Sequence, residues 1–170
     1  PFLFNAILPN VGTSAIAIRF GLTGPSFTAS GASGSGSEAI IAAYDQIAYG
    51  RADVMITGGA ESAVSELIVS GFSQNHTGSK QGICRPFDRD RDGTVCSEGA
   101  AVLVLESLDH AQARGAPILG EIACYSRRAD AFDMPDIPQT DAPVLCSAIP
   151  DALELLGSDP DVAAHLNVDG

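Results

Sequence analysis

Apolar and polar positions alternate along the chain in short regular patterns separated by glycine. Between residues 38 and 49, apolar side chains recur at 39, 40, 43, 44, 47 and 48, and Gly50 follows. That spacing lays one apolar stripe along a 3.6-residue period and predicts an amphipathic helix with a glycine stop. Residues 52–57 (ADVMIT) are a short apolar run ending at Gly58-Gly59 and predict a buried strand. Residues 99–106 (GAAVLVLE) predict a second buried strand. AIAIRFGL predicts the end of a helix that stops at Gly21. Residues 26–30 predict a short strand, 62–72 a helix, 109–114 a short helix ended by Gly115, and 117–125 a further strand. The 144–156 stretch is helical in pattern but contains Pro150, so it kinks or begins near Ser147. A last strand begins at 166–168. Strand, helix, strand over 26–57 predicts a right-handed crossover, a parallel sheet and the α/β class. The polar stretches 73–94 and 127–142 predict long loops, which in compact domains usually carry function.

Composition narrows the class. The chain has 170 residues and 45% hydrophobic content, enough for roughly one packed core. No apolar run approaches the ~18–20 residues that span a bilayer. The start, PFLFNAILPN, lacks a basic leader and a small-residue cleavage site. The expectation is a cytoplasmic protein with no membrane partner. A net charge of -12 with only nine Lys and Arg argues against nucleic acid as a partner. Cysteines stand at 84, 96, 124 and 146 with no C-x-x-C pair and no histidine at zinc-finger spacing. Reduced thiols and no metal site are expected.

The candidate chemistry begins at residues 30–37, SGASGSGS, which feed the 38–49 helix. A glycine-rich loop entering a helix sets unpaired N–H groups and the positive end of the helix dipole beside small hydroxyls. Two readings stand side by side: a nucleophile placed where an oxyanion or thiolate is stabilised, and a plain turn whose glycines permit close packing. Gly31-Ala-Ser33-Gly-Ser35 falls one glycine short of the hydrolase elbow, and the glycines do not follow the dinucleotide fingerprint. DRDRDG at 88–93 opens like a calcium loop, but the twelfth position is Gly99 and Glu98 falls one short. A salt-bridged turn is the better reading. His76, His110 and His165 lie in polar contexts, and no spacing offers a base for Ser33.

GLTGPS (21–26), the small-residue block before the helix, YGRADVMITGGAES (49–62), RPFDRDRDGTVCSEGAAVLVLE (85–106) and LDHAQARGAPILGEI (108–122) together resemble the β-ketoacyl synthases. These are the condensing enzymes of fatty acid and polyketide synthesis. The resemblance implies a partial thiolase-like α/β fold. Residues 1–107 would be the end of the first ketosynthase half and 108–170 the start of the second. The chain would then be an interior piece of a longer synthase. The resemblance also implies an acyl carrier protein as partner, no cofactor, and a substrate channel near residues 62–80. In the family a cysteine thiolate at the loop tip takes the acyl group, and two histidines assist decarboxylation of a malonyl unit.

Aligned on GPS (24–26) and on Ala39-Ile40, Ser33 stands at the cysteine position. Leu166-Asn167-Val168-Asp169-Gly170 stands where the family carries its first histidine motif, with Asp169 at the histidine. A serine hydroxyl needs a positioned base. An aspartate, anionic at neutral pH, cannot donate to a thioester oxygen and repels a malonyl carboxylate. Loss of both groups resembles the chain-length factor of type II polyketide synthases. That subunit lacks the cysteine, pairs as a heterodimer with an active ketosynthase, and walls the chain's channel. Serine in place of the more usual glutamine leaves the subtype open. The alternatives are an active or active-site-mutated 3-oxoacyl-(acyl-carrier-protein) synthase that uses the Ser33 position as acyl acceptor, and a structural dimerisation module.

Overall fold

The computed structural model describes residues 8–62, 64–129, 150, 151, 153, 154 and 157. In order, the elements are α1 (Val11–Phe20), α2 (Ser35–Ala48), β1 (Val54–Glu61), α3 (Glu66–Gln74), β2 (Gly99–Glu106) and α4 (Leu108–Ala113). They fall in two compact units: Pro1–Ala60 with Ala100–Leu119, and Glu61–Gly99 with Gly120–Gly170.

In the first unit β1 and β2 pair in a two-stranded sheet. The Ser107 amide donates to the Asp53 carbonyl at 2.9 Å, so the start of β1 faces the end of β2. Mid-strand, a Cβ on Gly58 would lie 2.1 Å from the Ala101 carbonyl oxygen. That pairing is antiparallel. It also explains why β1 runs through the glycines at which the pattern placed its end. With φ at 156°, Gly58 lets the partner backbone approach where any side chain would collide. The parallel crossover expected over 26–57 is not seen among the described residues, because 26–30 forms no strand. That segment is instead tied to α1 by a hydroxyl pair, Thr13 Oγ1 and Thr28 Oγ1, at 3.0 Å. Residues 117–125 form no strand either, and Leu119 is fully exposed.

Among the described residues the buried side chains are Ala43 on α2, Met55 and Thr57 on one face of β1, and Ala111 on α4. β2 forms at the predicted residues but is not buried. Val102, Leu103 and Val104 are all exposed. Consecutive strand residues point to opposite faces, so both faces of β2 are open. The apolar run had implied cover on both sides, and none lies over them among the described residues.

In the second unit α3 begins at Glu66, later than predicted, because β1 continues to Glu61 and Ser65 takes the N-cap. Its side chain accepts from the Ile68 amide at 3.5 Å. The 75–98 segment follows and is closed on itself by a bridge between Gly78 and Thr94. Pro150, Asp151, Leu153 and Glu154 are helical, and Arg128 forms a two-pronged ion pair with Asp151. The strand expected at 166–168, with His165 and Asp169, lies outside the described residues.

Candidate functional site

Ser33 sits on a tight turn just ahead of α2, with Gly34 as the helix N-cap. The turn is built by its neighbours. Gly34 N donates to Gly31 O at 3.2 Å and Ser35 N to Ala32 O at 3.1 Å. The Ser35 hydroxyl stitches the same corner, accepting from Gly31 N at 2.9 Å and donating to Ala32 O at 2.6 Å. Ala32 is thereby held at φ 52°, a left-handed conformation costing a non-glycine residue ~1–2 kcal/mol. Strain of this kind gathers where a fold must present a side chain in one direction. Here it leaves Ser33 exposed before the positive end of a 14-residue helix, with Glu38 in the first turn. β1 passes close by: a Cβ on Gly59 would sit 3.7 Å from the Gly36 Cα. Within the loop itself a Cβ on Gly34 would lie 3.5 Å from Gly31 O, and one on Gly36 would meet nothing within 4 Å.

No base meets Ser33 among the described residues. In the same unit His110 is held by Glu106, its Nδ1 against Oε1. His76 follows the end of α3 at φ 57°. Asp169 lies outside the described residues.

A second feature was not visible in the sequence. The second unit holds a cavity of about 190 Å³, lined by Val69 and Phe72 of α3, Gly78 and Ser79 of the outgoing loop limb, and Val95 and Cys96 of the returning limb. It falls partly within the 62–80 region. Its far wall comes from residues more than a dozen positions downstream, and no local period announces that pairing.

The DRDRDG carboxylates are taken up by the protein itself. Asp88 Oδ1 accepts from the Asp90 amide at 2.7 Å, and Asp90 lies 3.6 Å from Arg89. Asp92 accepts from the Ser79 hydroxyl and the Lys80 and Gln81 amides at 2.8, 2.9 and 3.1 Å. These bonds, the Ser79 hydroxyl above all, hold its carboxyl below the ordinary range. Glu98 Oε1 accepts from Val64 N at 3.1 Å. Among the described residues no three His, Cys, Asp or Glu gather as a metal site. No described helix is long and apolar enough to cross a membrane.

The family model for the beta-ketoacyl synthase N-terminal domain matches residues 1–111. The chain is 38% identical over 173 residues to 3-oxoacyl-(acyl-carrier-protein) synthase I, chloroplastic, of Arabidopsis thaliana, across 98% of this chain and 36% of that protein. It is 35% identical over 174 residues to 3-oxoacyl-(acyl-carrier-protein) synthase 2 of Staphylococcus aureus, across 100% of this chain and 43% of that one. Among solved structures, a chain of the AntDE:AntF complex, a type II PKS acyl-carrier protein with its ketosynthase bound to the hexaketide, superimposes with a TM-score of 0.83 at 30% identity, covering 92% of this chain and 40% of that chain. The ishigamide ketosynthase/chain length factor gives a TM-score of 0.74 at 30% identity, covering 90% and 37%. A beta-ketoacyl synthase from Burkholderia phymatum STM815 gives 0.73 at 36%, covering 87% and 36%. The chain belongs to the beta-ketoacyl synthase family. Its fold is a partial thiolase-like α/β fold. It spans about two-fifths of the length of the curated relatives it matches.

Proposed function

We propose that the protein carrying this chain is a ketosynthase-like subunit of polyketide or fatty acid synthesis that does not itself condense. It pairs with an active ketosynthase and helps set product chain length. The observation that carries this reading is Ser33 exposed on the strained turn before α2, with no base against it among the described residues, at the residue that the family resemblance pairs with the cysteine. A hydroxyl there has a far higher pKa than a thiol and stays protonated without such a base. Asp169 at the histidine position supports the same reading. So does the likeness to a ketosynthase/chain length factor structure. The cavity beside α3 would take a segment of the growing acyl chain, and an acyl carrier protein would deliver it. The division into halves at 107 and 108 and a cytoplasmic location belong to the same proposal.

A second reading has one observation in its favour. Ser33 is exposed at a helix N-terminus, where an ester oxyanion would be stabilised, so it could serve as acyl acceptor. One experiment separates the two. The complete protein is incubated with acyl-loaded carrier protein, alone and with a ketosynthase, and its intact mass is measured. The leading proposal expects no acylation alone and a stable heterodimer whose partner is acylated. An acyl ester on Ser33 in the absence of a partner would overturn it. If alanine at Ser33 and bulky residues lining the cavity both leave product length unchanged, the chain is a dimerisation module instead.

A further inference from the structure

The 77–96 segment leaves α3 and returns beside itself. Its two limbs are joined by Ser79 N donating to Thr94 O at 2.9 Å and Thr94 N to Thr77 O at 2.8 Å. They approach so closely at Gly93 that a Cβ there would lie 2.7 Å from Gly78 C, Ser79 N and Thr77 O, and Gly93 holds φ 135°. Just before this crossing, Asp92 reaches to the outgoing limb. Its Oδ1 accepts from Ser79 Oγ and its Oδ2 from the Lys80 and Gln81 amides. The Ser79 hydroxyl is held on a second side by the Ile83 amide at 3.4 Å. Arg85 Nη2 lies 3.6 Å from Asp92 Oδ1, and that guanidinium's Nε and Nη2 are buried without a hydrogen bond among the described residues. One carboxylate therefore organises a turn of backbone, a hydroxyl and a half-buried cation.

Ser79, together with Gly78 on the same limb, lines the cavity with Val69 and Phe72 of α3. We infer that Asp92 is a positioning residue for this cavity: it fixes the outgoing limb as a wall, and so sets the cavity's shape, without contacting what the cavity holds. A carboxylate suits the task because its two oxygens accept several hydrogen bonds while its charge faces a half-buried guanidinium. The consequence for acyl-chain length rests on the function proposed above.

Cys96, on the returning limb beside that wall, also lines the cavity and reports the wall's position. Cys124 belongs to the same unit, is similarly half-buried, and does not line the cavity, so it reports general loosening. The complete protein is alkylated with iodoacetamide and each thiol is followed by peptide mass. Asp92→Ala is expected to raise the Cys96 rate about tenfold with Cys124 unchanged, because several charge-assisted bonds are lost together. Asp92→Asn keeps one acceptor oxygen and is expected to fall between parent and Asp92→Ala. Ser79→Ala removes a single bond and is expected to raise the rate about threefold, which decides the matter if Asp92→Ala does not fold. A Cys96 rate unchanged in the folded variants overturns the proposal, as does a rise in which Cys96 and Cys124 move together. If Cys96 alone responds while product length in the complete assembly stays the same, the positioning role stands and the acyl-cavity reading fails.

Discussion

Glu106, at the end of β2, takes both prongs of Arg114 at the end of α4: Nε donates to Oε1 and Nη2 to Oε2, each at 2.6 Å. His110, within α4, adds its Nδ1 to the same carboxylate. The Arg114 hydrogen bonds first, and the His110 bond second, hold the Glu106 pKa at about 2 against an ordinary 4.5. A group whose folded pKa is depressed lends its stability above its unfolded pKa and loses it as pH falls toward the folded one. Glu106→Gln is therefore expected to be less stable than the parent above pH 4.5. The gap should close as pH falls toward about 2. Urea midpoints across that range measure it, and two curves that stay parallel would show the clasp carries no linked proton.

Gly58→Ala tests the sheet register. The added methyl would sit 2.1 Å from the Ala101 carbonyl oxygen and 2.9 Å from the Val102 Cα, both backbone atoms that no side-chain rotation can move aside. We expect a loss of roughly 3 kcal/mol or more in denaturant unfolding, or failure to fold. Gly99→Ala, at the start of β2 where a Cβ meets nothing within 4 Å, is the control and should cost little.

These two sites mark what the sequence could and could not convey. β2 and α2 were legible because their apolar positions repeat locally, and each formed within a few residues of its predicted bounds. β1 ran past its predicted end because the reason for Gly58 is a partner strand more than forty positions away. The strands expected at 26–30 and 117–125 did not form. A short apolar run needs a neighbour to pair with, and its own residues do not reveal whether one exists. The site divides the same way. Ser33 was proposed from its loop and from the family's pattern, whereas the strain at Ala32 and the Asp92–Ser79 bond depend on geometry that no motif spells out.

Ser35 makes the turn that presents Ser33. Its hydroxyl accepts from Gly31 N and donates to Ala32 O across the left-handed residue. Ser35→Ala removes both bonds and is expected to cost about 1 kcal/mol in unfolding free energy. Amide exchange at Gly31 should accelerate while exchange in the second half of α2 does not. Unaltered exchange at Gly31 would mean the backbone bonds of Gly34 and Ser35 suffice to hold the corner.

Ser33→Cys is the most informative change to the candidate site. A thiol with an ordinary pKa near 8.5 is brought toward neutrality before a helix N-terminus, so the variant should carry a reactive thiolate where the parent carries an inert hydroxyl. Incubation of the complete Ser33→Cys protein with acyl-loaded carrier protein is expected to give an acyl thioester at position 33, seen by intact mass and released by hydroxylamine. Condensation should still be absent. Under the proposed function Asp169 takes the histidine's place, and an anionic carboxylate there would offer no hydrogen bond to a thioester oxygen and would repel the malonyl carboxylate. No acyl group at position 33 would remove Ser33 from the acceptor position altogether. Acylation followed by condensation in the single variant would show that Asp169 is no barrier, and the non-condensing reading would then rest on the serine alone.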